Sequence, residues 1–344
     1  AVFPARDYVL RPIEGTAREY EYRRLSVLGD IVGGRLQAVC VPDEGLTQYT
    51  TPRAEFYNNT RTLHPGDTVP RTELTALLYN AGYARRAQVD GPGQFSIRGD
   101  IVDLYAPDMK LPVRMEFWGD EIDTMHTFDL ATQRREDPIE KIYVSPAREV
   151  LFGSPAEAAE LLRAFIKKFR GKKRTALEAC LATELAQLDG GALPVNMDKY
   201  LAVRYPQPAT LLDYFDDPLL VLEEPASLRE AERATTYRRG EEISALLQDG
   251  VLAAGLDNLY AENGYLWAQA ANHRTICAEN FARSMPDIPL KDIVNAPAHT
   301  LPAWGGEVTS LLEDLQPLCN GGAAVTVLAG TQRAAAGLAA DLRT

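Results

Sequence analysis

A chain of 344 residues, 46% hydrophobic and 24% charged, is long for a single core and too apolar for disorder; at about 150 residues per domain it should hold two or three domains. Its formal net charge of -12 argues against a protein that grips nucleic acid along its whole length by neutralising phosphates, and a protein or small molecule is the better partner. Cys40, Cys180, Cys277 and Cys319 stand far apart with no C-x-x-C or His spacing, which indicates neither zinc nor a disulfide framework but reduced thiols in a cytoplasmic protein, and no stretch reaches the roughly 18 apolar residues of a membrane span.

The opening "AVFPARDYV" has no initiator Met and reads as a strand end, so a piece of a longer protein is expected. In "TAREYEYRRLSVLGDIVGG" (16–34) the spacing of Tyr20, Leu25, Leu28 and Ile31 predicts a helix that stops at Gly33-Gly34, and "RLQAVCVP" (35–42) predicts a short apolar strand. Helix, glycine turn and buried strand form the repeating unit of an α/β sheet. After "HPGDTV" the pattern changes to one helix, 71–82, capped by Gly82, and then to short alternating strands broken by Gly, Pro and Asp, which predict a separate β-rich unit.

Helices resume in "SPAEAAELLRAFIKKFRG" (154–171), with Ser154 as N-cap and Pro155 at the first helical position, and continue to 190. "PLLVLEEP" (218–225) predicts a buried strand, followed by the helix "ASLREAERATTYRRGEEISALLQDG". A sheet interrupted by a β-rich insertion and then completed accounts for this order, because residues 1–58 alone hold too few elements to bury a core. "MPDIPLKDIVNAPAHTLPAW" (285–304) reads as a Pro-rich linker and "AAVTVLAGTQRAAAGLAADL" (323–342) as the strand and helix of a further α/β unit. The expected domains are therefore 1–59 and 150–285 for the interrupted α/β body, 60–149 for the insertion, and 286–344 for linker and third unit.

Catalytic signatures are weak. No G-x-x-x-x-G-K-[ST] phosphate loop occurs; "FRGKKRT" (169–175) lacks the first glycine and sits in a basic helical context. The pairs Asp43/Glu44 and Glu223/Glu224 could end metal-holding strands, but without a phosphate loop they read as solvated acidic loops. The run Arg163, Lys167, Lys168, Arg170, Lys172, Lys173 and Arg174 is the best nucleic-acid candidate by composition but reads as a solvated helix face. His64, His126, His273 and His299 show neither triad nor ligand spacing, and no nucleophile motif is present. The residues favour a binding module over a catalyst.

The stretch "GQFSIRGDIVDLYAPDMKLPVRMEFWGDEIDTMHTFD" (93–129) sets Arg98, Arg114 and Trp118 among apolar residues. With its flanks it gives the ordered pattern G-Y, R-G-D-I-V-D, P-V-R-x-E-F-W-G-D-E-I, T-F-D-x-x-T-Q-R and P-A-R-E, which resembles the module shared by the bacterial excision-repair protein UvrB and the transcription-repair coupling factors. "FPARDYVLRPIEGTAREYEYRRLSVLGDI", "VPDEGLTQYTTP" and "TFDLATQRREDPIEKIYVSPAREVL" are similar to the coupling factors; UvrB would carry a long, Tyr-rich DNA-clamping hairpin near this point. The resemblance is strong over 1–150 and fades beyond to element order and matches such as "YFDDPLLVLEEP".

The resemblance implies an α/β fold, an incomplete RecA- or helicase-like sheet domain interrupted by a β-rich, α+β insertion. It implies no cofactor and no ATP hydrolysis here, with ATP and magnesium serving a translocase motor elsewhere in such proteins, and RNA polymerase and DNA held through other parts. For the insertion it implies a partner, the damage-recognition ATPase UvrA, contacted through Arg98, Arg114 and Trp118. Alternation should turn Arg114, Glu116 and Trp118 outward and Val113, Met115 and Phe117 to the core, while a turn at "APDMKLP" pairs the strands around it. The expectation is one exposed face carrying all three side chains, whose double arginine truncation spares thermal stability; the competing reading pairs the arginines internally with Asp100, Asp103 or Glu116. The alternative function is a UvrB-type, DNA-contacting excision subunit whose nucleotide loop lies outside this sequence.

Overall fold

A computed structural model describes residues 1–11, 18–280, 288–296 and 307–342. They form two compact units, Ala1–Pro289 and Leu290–Thr344. The fold is mixed α/β with several sheets, and no helix among the described residues is long and apolar enough to cross a membrane.

Helix α1 (Glu19–Val32) places Leu25 and Leu28, three residues apart, on its buried face, with Glu19 and Glu21 in the first turn where the helix dipole favours negative charge. Its buried stripe departs from expectation: Tyr20 is exposed, and Glu21 and Arg24 are buried instead. The predicted strand "RLQAVCVP" does not form. Only a bridge between Val2 and Cys40 is present, held by Phe3 N–H donating to Cys40 O and Cys40 N–H to Ala1 O, each at 2.9 Å. A strand needs a ladder partner, and the neighbouring chain aligns with it at that one point. Two short helices, α2 (Asp43–Thr47) and α3 (Arg53–Asn58), follow Pro42 and Pro52.

The β-rich part begins with β1 (Arg61–Leu63) and helix α4 (Arg71–Asn80), and continues through β2 (Ala84–Arg85), β3 (Gln94–Arg98), β4 (Ile101–Tyr105), β5 (Val113–Trp118), β6 (Glu121–Phe128) and β7 (Arg135–Pro138), which form a six-stranded sheet in chain order. The β3–β4 and β5–β6 connections are two-residue turns, Gly99-Asp100 and Gly119-Asp120, whose glycines take φ of +60° and +65° as the hairpin turns that match strand twist require. The last strand, β8 (Ile142–Val144), pairs antiparallel with β1, bringing the two ends of this segment side by side. Leu74 and Leu78 of α4 pack with Phe95, Val102, Met115 and Phe117 in a core of its own.

Helix α5 (Pro155–Lys167) starts as expected, Ser154 accepting a hydrogen bond from the Glu157 amide with Pro155 next. Its Leu162 and Ile166 meet Leu177, Leu181 and Leu188 of α6 (Gly171–Asp189) in a second core, joined by Leu201 of α7 (Leu201–Arg204). Strand β9 (Leu219–Glu223) leads into α8 (Pro225–Gln248), then α9 (Tyr265–Asn272) and β10 (Arg274–Ala278), which pairs parallel with β9. The expectation of a buried strand here is corrected: Leu219 and Val221 are 53% and 62% exposed, and within β9 Leu222 alone is buried. Among the described residues this sheet has two strands, so its outer face has nothing to pack against.

A buried charge network ties the first unit together. Arg6 donates to Glu149 at 3.1 Å and to Asp198 at 2.7 and 3.0 Å, while Arg24 donates to Glu149 at 2.6 Å and to the Gln48 side-chain oxygen Oε1 at 3.0 Å. The Glu149 amide donates to Glu21. The opening segment, α1, the residue that leaves the β-rich part and the turn before α7 thus share one set of ions, all withdrawn from water.

In the second unit, α10 (Val308–Asn320) and α11 (Gln332–Asp341) form, but residues 323–329 carry no strand, and none of the described residues pairs with them in a ladder. Residues 288–296 of the expected linker lack regular structure; the rest of that stretch, with His299, lies outside the described residues.

Candidate protein-interaction face

The outer face of the six-stranded sheet is organised by a lateral row. Ser96 stands opposite Asp103, Asp103 opposite Arg114, and Arg114 opposite His126. Alternation along β5 is as expected: Val113, Met115 and Phe117 are buried, Arg114 and Glu116 are half-buried, and Trp118 is 83% exposed beside the hairpin turn.

Asp103 is the centre of the row. Its side chain is fully buried, and its carboxylate accepts from Arg114 Nε at 2.7 Å, Arg114 Nη2 at 2.9 Å and Arg98 Nη2 at 2.6 Å. Arg114 also donates from Nη1 to the Gln133 carbonyl at 3.2 Å and lies over the Phe128 ring, 4.7 Å from its centroid. The hydrogen bond to Asp103 raises the Arg114 pKa further, so the guanidinium stays charged. Gln133 presents its carbonyl from a left-handed backbone, φ +59°, in a loop where Asp129 accepts from the amide and hydroxyl of Thr132.

The three sequence-derived residues therefore differ. Of the three side chains expected on one exposed face, that of Arg98 is 46% exposed and that of Arg114 only 15% exposed. The internal pairing is with Asp103; Asp100 pairs with Arg71, and Glu116 with Arg135. Truncating both arginines would leave the buried Asp103 carboxylate unpaired, which argues against the expectation that the double variant keeps its stability. Phe128, Gln133 and Arg135 were not singled out from the sequence, although the T-F-D-x-x-T-Q-R pattern contains the first two and ends one residue short of the third.

The other candidates are engaged elsewhere. Glu44, in the first turn of α2, accepts from Arg238, and Glu224, in a left-handed conformation at φ +46°, accepts from the amide and side chain of Asn280, so neither is a free acidic loop. Burial raises the Asp43 carboxyl above its ordinary pKa. Lys167, Lys168, Lys172 and Lys173 are exposed, while Arg163 pairs with Asp189 and Arg174 with Glu178, as on a solvated helix face. His64 lies beside Asp67, His126 sits in β6, and His273 ends α9. The four thiols are unpaired, and no group of three His, Cys, Asp or Glu that could hold a metal occurs among the described residues.

Residues 62–150 match the UvrB interaction domain family. Over longer stretches the chain is similar to proteins named transcription-repair-coupling factor. That of Bacillus subtilis (strain 168) is 25% identical over 324 residues, 92% of this chain and 27% of the relative. That of Staphylococcus haemolyticus is 28% identical over 259 residues, 72% of this chain and 22% of the relative. That of Staphylococcus epidermidis is 24% identical over 341 residues, 96% of this chain and 28% of the relative. The chain thus spans about a quarter of the length of these relatives.

Proposed function

From a UvrB interaction domain at 62–150, carried by a chain similar to the transcription-repair-coupling factors, we propose that this is the amino-terminal module of such a factor and that it recruits UvrA to lesions where RNA polymerase has stalled. The module acts as a platform without chemistry of its own. The parent's ATP- and magnesium-dependent translocation, and its grip on DNA and RNA polymerase, belong to other parts. In this reading residues 1–59 and 150–285 are a helicase-like body, 60–149 the docking domain, and 286–344 a linker and the start of another unit.

The observation that carries the reading is the outer face of the six-stranded sheet. Trp118, 83% exposed, stands on the strand whose Arg114 shares a buried carboxylate with the half-exposed Arg98. Aromatic residues and arginine are the types enriched at interface hot spots, and this face presents one of each to solvent.

Titrating the chain with UvrA tests it. Trp118→Ala and Arg98→Ala should each weaken binding by about 2 kcal/mol, roughly thirtyfold. Wild-type affinity in both variants would overturn the assignment.

A further inference from the structure

The geometry points to a division of labour between the two arginines: Arg98 is the group that meets the partner, and Arg114 is a positioning residue that acts on it through Asp103. The inference rests on the UvrA-docking reading and deepens it.

Arg114 has little left to offer. Its Nε, Nη1 and Nη2 all donate within the domain, Phe128 covers one face of its guanidinium, and its side chain is 15% exposed. An arginine recognises a carboxylate best with a free edge presenting two parallel N–H groups. Two of the three nitrogens of Arg114 already spend that edge on Asp103. Arg98 is the converse. Among the described residues it donates one hydrogen bond, from Nη2, and its side chain is 46% exposed.

Asp103 links the two. Oδ1 takes one bond from Arg114, and Oδ2 takes one from Arg114 and one from Arg98. The two-point contact with Arg114 fixes the plane of the carboxylate, so Arg98 is met by one oxygen only and keeps the rest of its donors for solvent. Without Arg114 the carboxylate is free to turn and to accept Arg98 with both oxygens, the arrangement the pair prefers. Arg98 would then lie back against the sheet with its recognition edge consumed. Loss of Arg114 therefore weakens docking although Arg114 touches no partner.

A double-mutant cycle in the full 344-residue chain tests this with UvrA as titrant. Arg98→Ala and Arg114→Met should each weaken binding about tenfold or more, and the double variant should bind within about twofold of Arg98→Ala alone. A double variant weakened by the product of the two single effects would mean that Arg114 contacts UvrA itself, and would overturn the inference. Should Arg114→Met fail to fold, Arg114→Lys takes its place in the same cycle, with a smaller loss that again vanishes when Arg98 is absent. A second arm needs no partner: the Arg98 Nε–H resonance of the free chain should shift in Arg114→Lys, as Asp103 recruits that nitrogen. An unchanged Arg98 signal overturns the positioning role; unchanged UvrA affinity in Arg98→Ala removes Arg98 from the contact and overturns the inference, and the docking reading itself falls only if Trp118→Ala also binds as wild type.

Discussion

At the scale of single residues, the outer sheet face separates groups that hold the fold from groups that do not. Asp103 is fully buried and accepts three charge-assisted hydrogen bonds, so removing Arg114 leaves a buried anion with one partner. Breaking a buried pair in this way typically costs about 3 kcal/mol or more. Arg114→Ala should lower denaturant stability by that order, whereas Trp118→Ala, at a site 83% exposed, should stay within about 0.5 kcal/mol; equilibrium urea unfolding of the two variants checks both. A Trp118 variant as unstable as the Arg114 variant would make the indole part of the fold. The alternation of "VRMEFW" was legible in the sequence because period two is a property of one strand. That Arg98 and Arg114 share Asp103 was not, because the choice among Asp100, Asp103 and Glu116 depends on the register of three strands, set by the turn at Gly99-Asp100 and the longer connection between β4 and β5.

At the scale of elements, the buried network decides how α1 lies. Helical spacing located the helix to within a few residues, but placed Tyr20 on its inner face; Glu21 and Arg24 are there because Glu149, Gln48 and Asp198 meet them and Arg6 from far along the chain. Periodicity cannot see partners at a separation of 125 or 192 residues. Burial pushes the Glu149 carboxyl up, but Arg24 and Arg6 outweigh it and hold its pKa below the ordinary 4.5; Asp198, buried beside Arg6, likewise lies below 3.8. A depressed carboxylate contributes stability that is fully present above its unfolded pKa and is lost as pH falls through the folded one. Stability should therefore lose this contribution only below about pH 4.5, and steeply, as both groups take up protons. Glu149→Gln should be less stable at neutral pH by about 3 kcal/mol and show a shallower acid slope, read from urea midpoints between pH 3 and pH 7. An acid slope identical to that of the unmodified chain would remove Glu149 from the account.

At the scale of the whole molecule, charge sets what the chain can hold. A net charge of -12 with one exposed basic run around the α5–α6 junction allows only screened contact with phosphates. Duplex binding, followed by fluorescence anisotropy, should be weak at low salt and gone by about 200 mM, and affinity that survives there would favour a DNA-gripping subunit. The same scale shows where sequence reading stopped short. The apolar runs at 35–42 and 323–329 have the composition of strands yet form none, and β9 is a strand without being buried, because composition reports what a segment could pair with and not whether the pairing strand is beside it. The β9–β10 ribbon has a practical side. Val221 and Ile276 stand opposite each other, 62% and 51% exposed, on a parallel pair of a kind normally covered on both faces. Bare apolar strands with an unpaired edge are templates for further pairing. Turbidity of a stored solution should therefore climb with concentration, and Val221→Lys with Ile276→Glu, an opposed pair of opposite charge, should keep it clear. On that outcome the shelf life of the protein would be set by the ten residues of this ribbon.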